Sequence, residues 1–165
     1  MKSVSKAALA VALLMGAPAF IAGSPAVAQK KGANSPQVSE AFRKPAGEVQ
    51  KLVEAKDWAG VKARIDALDA VAQSDDEKYY AASFRLAAAA GTSDNPNIIR
   101  ALDALIVNPK TPQADLGRYN FFRGDLAYQQ KQYPQAANYL LKARELGYQP
   151  LGLDEFEPQD RPGPA

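Results

Sequence analysis

Between residues 57 and 146 the large apolar side chains recur with a helical period, and the pattern itself recurs. Trp58, Val61, Ile65 and Leu68 stand at offsets of 0, +3, +7 and +10. The same offsets fall on Asn95, Ile98, Leu102 and Leu105, 37 residues on, and on Tyr133, Ala136, Leu140 and Ala143 after 38 more. Residues so spaced share one helical face. The pattern predicts helices near 57–72, 95–107 and 134–146, with Trp58, Ile65, Leu102 and Leu140 largely buried. Asp57, Asp94 or Asn95, and Pro134 mark their starts, as capping and first-turn residues do.

Each of these helices follows another. Val49, Leu52 and Val53 give a stripe within 46–56, the run DEKYYAASFRLAAAA covers 76–90, and QADLGRYNFFRGDLAYQQK covers 113–131. Ser35-Pro36 reads as a cap and first helical residue ahead of Val38 and Phe42, with Pro45 interrupting that helix or starting a new one. Asp75, Asp76 and Glu77 place negative charge at a helix start, and Gly91 ends the same helix. No alternating strand pattern and no Asn-Gly or Asp-Gly turn occurs. The expected fold is all-α, with three antiparallel hairpins, each a helix A then a helix B, stacked side by side over 36–146.

The ends differ from this middle. Lys2 and Lys6 precede an apolar run from Ala7 to Leu14, and Ala26-Val27-Ala28 supplies the small residues a signal peptidase reads. Residues 1–28 are expected to be a cleaved signal peptide, because Gly16, Pro18, Gly23 and Pro25 break a run that would need about 20 apolar residues to span a membrane. Residues 29–35 are expected to be a disordered start, and 147–165 an irregular Pro-rich tail. Within that tail Tyr148, Leu151, Leu153 and Phe156 lead us to expect 147–156 back against the third hairpin and 159–165 disordered.

Charge and composition narrow the function. The chain has 20 basic and 18 acidic residues, and loss of Lys2 and Lys6 with the leader leaves 18 of each. A near-neutral mature chain has no steering field for nucleic acid, and after cleavage no stable membrane insertion is expected. There is no Cys and no His. Disulfides are thereby ruled out, and so are the commonest general base and metal ligand. Asp154, Glu155, Glu157 and Asp160 lack the spacing of a calcium loop. Ser39 with Lys44 and Ser83 with Lys78 lack the Ser-x-x-Lys spacing of a nucleophilic dyad. Asp66 with Asp69 and Glu54 with Asp57 are expected on exposed helical faces. No phosphate-cradling glycine motif is present. No catalytic residue, metal or cofactor is expected.

The third hairpin, about residues 117–150, resembles a tetratricopeptide repeat, a 34-residue helical hairpin. Gly124 matches the small residue of helix A. Tyr133 matches the aromatic that opens helix B, Ala136 and Ala143 its two alanines, and Leu140 the large residue between them. Asn120 and Arg123 stand where that family usually has large apolar residues, Ala127 where it has Tyr, and Val61 and Ile98 replace the first helix-B alanine in the other hairpins. Other helical-repeat families, such as the Sel1-like type, have related hairpins. The resemblance implies a right-handed solenoid whose A helices line a peptide groove. Its groove positions fall here on Arg118, Phe121, Asp125, Tyr128 and Gln129. The aromatics Tyr79, Tyr80, Phe84, Tyr119 and Phe122 share those A helices and serve packing or binding. The expected function is that of an exported, periplasmic interaction module for a protein or peptide, such as an envelope-assembly adapter. The alternatives are a structural subunit of a larger complex and a fragment of a longer repeat protein, with the oligomeric state open.

Overall fold

The structure is a computed structural model and describes residues 38–148. The expected signal peptide, the start at 29–35 and the tail beyond Tyr148 lie outside the described residues. Six helices follow one another and no strand occurs among the described residues: α1 Glu40–Glu54, α2 Trp58–Val71, α3 Asp75–Gly91, α4 Asn95–Val107, α5 Gln113–Gln129 and α6 Tyr133–Glu145. None of the described helices is long and apolar enough to cross a membrane. The chain divides into two compact units after Ala101, within α4.

In the first unit, Phe42, Ala46 and Val49 of α1 meet Val61, Ile65 and Leu68 of α2 and Ala81, Phe84 and Ala88 of α3. The helix α3 is buried along most of its length, and its alanines let both neighbours approach closely. Burying each large aliphatic or aromatic side chain contributes about 1.5–3 kcal/mol, which is the main force holding the three helices together. In the second unit, the expected close approach between α5 and α6 is present. A Cβ on Gly124 would lie 2.8 Å from Leu140 Cγ and 3.2 Å from the Leu140 backbone nitrogen.

Glycine therefore acts differently in α1 and α5. A Cβ on Gly47 would meet nothing within 4 Å. Gly47→Ala should stabilise by about 0.5–1 kcal/mol through helix propensity, whereas Gly124→Ala should destabilise, because overpacking costs about 1–3 kcal/mol against the same gain. Urea unfolding of the two variants tests this. Shifts of the same sign would mean that α5 and α6 are not in tight contact.

The hairpin turns repeat as the helices do. The A helices α1, α3 and α5 end at residues in the left-handed region, Lys56 (φ 54°), Ser93 (φ 53°) and Lys131 (φ 61°), which stand 37 and 38 positions apart. Each turn carries the same two backbone bonds. Lys56, Ser93 and Lys131 donate to Val53, Ala90 and Tyr128, and the next residues Asp57, Asp94 and Gln132 donate to Leu52, Ala89 and Ala127. This is the Schellman ending, which satisfies carbonyls that a helix terminus leaves open. The last helix, α6, ends in the same way at Gly147 (φ 75°), with Tyr148 donating to Ala143 at 3.0 Å.

Several expectations are corrected. Pro45 neither stops nor starts a helix but lies inside α1. As the sixth residue of α1 it leaves the carbonyl of Ala41, an exposed residue, without its intrahelical bond and crowds that carbonyl. The described cap of α1 is Ser39, whose Oγ accepts from Phe42 N at 3.3 Å; the expected cap at Ser35-Pro36 lies outside the described residues. Gly91 is the last residue of α3, as expected, but the left-handed residue of the ending is Ser93. Gly91 instead leaves room for the Trp58 ring, which a Cβ there would meet at 2.5 Å. Trp58 itself is only half-buried, because it opens α2 beside a turn. Leu140 and Ile98 are also half-buried, and Tyr133 is 54% exposed. Val61, Ile65, Leu68, Leu102, Leu105, Gly124, Ala136 and Ala143 are buried as the stripe requires.

Candidate binding face

Helix α5 carries all five residues of the expected row. Arg118, Phe121, Asp125, Tyr128 and Gln129 are spaced 3, 4, 3 and 1 apart, so they share one side of the helix. The side is held from beneath by the Gly124–Leu140 contact and by buried Tyr119, Asn120, Leu126 and Ala127. Buried Asn120 donates to the Leu116 carbonyl at 2.8 Å, which offsets part of the cost of burying its amide.

The row is graded in exposure. Arg118 is half-buried, pairs with Asp115 at 2.8 Å and stacks over Tyr119 at 5.4 Å, while its Nε has no hydrogen-bond partner. Phe121 is half-buried, with Phe122 at 5.7 Å on one side and Tyr148 at 5.4 Å on the other. Asp125 accepts from Gln129 Nε2 at 2.7 Å. Tyr128 is 60% exposed and meets Tyr133 edge-on at 5.6 Å. The upper half, Asp125 to Tyr133, is thus open to a ligand. The lower half is partly filled by the chain's own aromatics.

Behind this face lies a polar anchor absent from the sequence reading. Arg123 is buried, donates to Asp103 at 2.7 Å and lies over the Tyr139 ring at 4.9 Å, and Tyr139 OH contacts the same carboxylate at 3.4 Å. Its Nη1 is buried without a partner. Removing Asp103 would leave that guanidinium buried with no counter-charge, a costly state.

The first unit holds a second polar cluster. Buried Arg85 donates to Asp66 at 2.6 Å, to Asp69 and to Asn97 at 2.9 Å, and Arg100 stands 3.6 Å from both carboxylates. Lys62 pairs with Asp94 at 2.6 Å, and Asn97 donates to the same carboxylate. The pair Asp66 and Asp69 is therefore not simply solvated; both turn toward one arginine, and only Asp66 is well exposed. The Arg85 hydrogen bond and charge hold the Asp66 carboxyl below its ordinary value. Bonds from Lys62 and then Asn97 hold Asp94 at about 2. A cavity of about 40 Å³ beside Arg85 has room for a water molecule or little more. Three cations and three carboxylates neutralise one another there, so the cluster reads as a structural lock between α2, α3 and α4.

Of the imagined catalytic pairs, Ser39 caps α1 and Ser83 donates to the Tyr79 carbonyl at 2.8 Å. Asp57 caps α2 through Gly60 N at 2.9 Å, and Glu54 accepts from Gln50. No group of three or more potential metal ligands occurs among the described residues. Compared with known family models, curated proteins and solved structures, the chain matches none of them.

Proposed function

We propose that the chain is an exported, periplasmic protein of the tetratricopeptide-like type, stacked as a solenoid, whose third hairpin receives a peptide or protein segment. The observation that carries this reading is the open upper half of α5, where Asp125, Tyr128 and Gln129 stand beside Tyr133 on a tightly packed hairpin. Rigid, amphipathic tyrosines beside polar groups are what recognition surfaces use, because they offer area at a low cost in ordering. The common position of the turns Lys56, Ser93 and Lys131 supports the repeat reading, and Lys2, Lys6 and Ala26-Val27-Ala28 support export. An adapter in envelope assembly fits both. The charged groups described above are engaged in caps, ion pairs or side-chain hydrogen bonds, which favours binding over catalysis.

The test is capture from the native envelope, with Tyr128→Ala and Gln129→Ala set against the wild type. Truncating a hot-spot tyrosine should weaken capture at least about fivefold, while melting temperature barely changes, as for surface positions generally. Equal capture, or loss of stability without loss of capture, would return these residues to a packing role. A second reading, a permanent subunit of a larger complex, is favoured by Val107 and Leu141, 79% and 48% exposed. Under it the purified chain would aggregate without its partner.

A further inference from the structure

Twice in this chain an arginine lies over a tyrosine ring while an aspartate accepts its hydrogen bond. Arg118 lies 5.4 Å from the centre of the Tyr119 ring and donates to Asp115 at 2.8 Å. Arg123 lies 4.9 Å from that of Tyr139 and donates to Asp103 at 2.7 Å. A guanidinium suits both partners at once, because its flat side meets the negative face of the ring while its edge carries the N–H donors.

The upper end of the α5 face offers the same two partners. Asp125 and Tyr128 are three residues apart on α5, so their side chains are neighbours. Tyr128 meets Tyr133 edge-on with ring centres 5.6 Å apart, and both rings are more than half exposed. Gln129 donates to one oxygen of Asp125 at 2.7 Å, which steadies the carboxylate; the other oxygen has no hydrogen-bond partner among the described residues. Among the described residues no cation lies over the Tyr128 or the Tyr133 ring. This third set therefore has the aspartate and the aromatic faces, and its arginine must come from another molecule.

We propose that this end of α5 binds an arginine side chain of the partner, with the guanidinium over the Tyr128–Tyr133 pair and its N–H groups on Asp125. The proposal rests on the interaction reading above and gives the partner segment its chemistry. An acidic side chain would meet the like charge of Asp125. An apolar one would cover the free carboxylate oxygen without supplying a donor, which is costly. Both attractions are exposed to solvent, so binding weakens as salt is raised.

The test titrates isotope-labelled protein with the peptide acetyl-Gly-Arg-Gly-amide, and with the same peptide carrying leucine or glutamate in place of arginine. The arginine peptide is expected to move the amide signals of Asp125, Tyr128, Gln129 and Tyr133 saturably, and the other two to move them little. Asp125→Asn should weaken the arginine peptide at least about fivefold. Asparagine keeps an acceptor for Gln129, so an unchanged melting temperature separates lost charge from lost fold. No shift with arginine, equal shifts with leucine or glutamate, or unchanged affinity in Asp125→Asn would overturn the proposal. Adding Asp125→Asn to the capture experiment keeps the two readings apart. Capture lost in Tyr128→Ala but kept in Asp125→Asn would leave the interaction face standing and remove the arginine, whereas capture kept in both would remove the face itself.

Discussion

Replacing Glu77 with Gln is expected to destabilise the first unit by on the order of 3 kcal/mol at neutral pH, and by little near pH 2. Glu77 is 1% exposed, yet it is the third residue of α3 and completes a capping box with Ser74. Its carboxylate accepts from Ser74 N at 3.0 Å, Gln73 N at 2.7 Å and, from the start of another helix, Ser39 N at 2.6 Å. Burial alone would raise its pKa. The bonds from Ser39, Gln73 and Ser74 more than offset that and bring it from 4.5 down to about 2. The folded state therefore binds this proton less readily than the unfolded chain. The stabilisation is full above about pH 4.5 and is lost as pH falls toward about 2. Glutamine keeps one acceptor but turns an amide donor toward backbone donors. Urea unfolding of both proteins at pH 7 and near pH 2 checks the argument, and an equal difference at the two values would show that the charge of Glu77 contributes nothing.

Phe42→Ala should cost about 3–5 kcal/mol, the range for a buried aromatic whose cavity cannot collapse. Phe42 is fully buried and packs with α2 and α3 residues including Ile65, Leu68 and Phe84. It is also the residue whose backbone N–H is capped by Ser39, the partner of Glu77. The two substitutions act on the same helix start and should not be additive. Denaturant midpoints of both single variants and the double variant measure this. A loss under about 1 kcal/mol for Phe42→Ala would contradict the packing of α1.

The helices were legible because their period is set by what must be buried: Val61, Ile65 and Leu68 can reach a core together only on a helix. The same logic failed at Trp58 and Tyr133, since a residue that opens a helix beside a turn keeps one side in water however apolar it is. Pro45 misled because its effect depends on distance from the helix start, which depended on locating the cap at Ser39. Ser74-x-x-Glu77 was readable as a capping box, but no local pattern announces that Glu77 also receives Ser39, 38 residues earlier. Arg85 is similar. Its carboxylates lie 16 and 19 residues away on α2, and helix propensities are silent about such pairs. At the candidate face, Gly124 and Leu140 were marked by the resemblance to a helical repeat, whereas the Arg123–Asp103–Tyr139 anchor required three helices to be in place.

The turns at Lys56, Ser93 and Lys131 hold a reserve that evolution has left unspent. An L-residue in the left-handed region costs roughly 1–2 kcal/mol that glycine avoids, and three of the four described left-handed positions carry side chains. Small gains of this kind accumulate across independent sites. A chain with glycine at all three would keep every side chain of the α5 face and both cores. It could then tolerate more sequence change on its surface than the present chain can. The turns after α1, α3 and α5 are thus where a designer could gain evolvability for this protein without altering the α5 face.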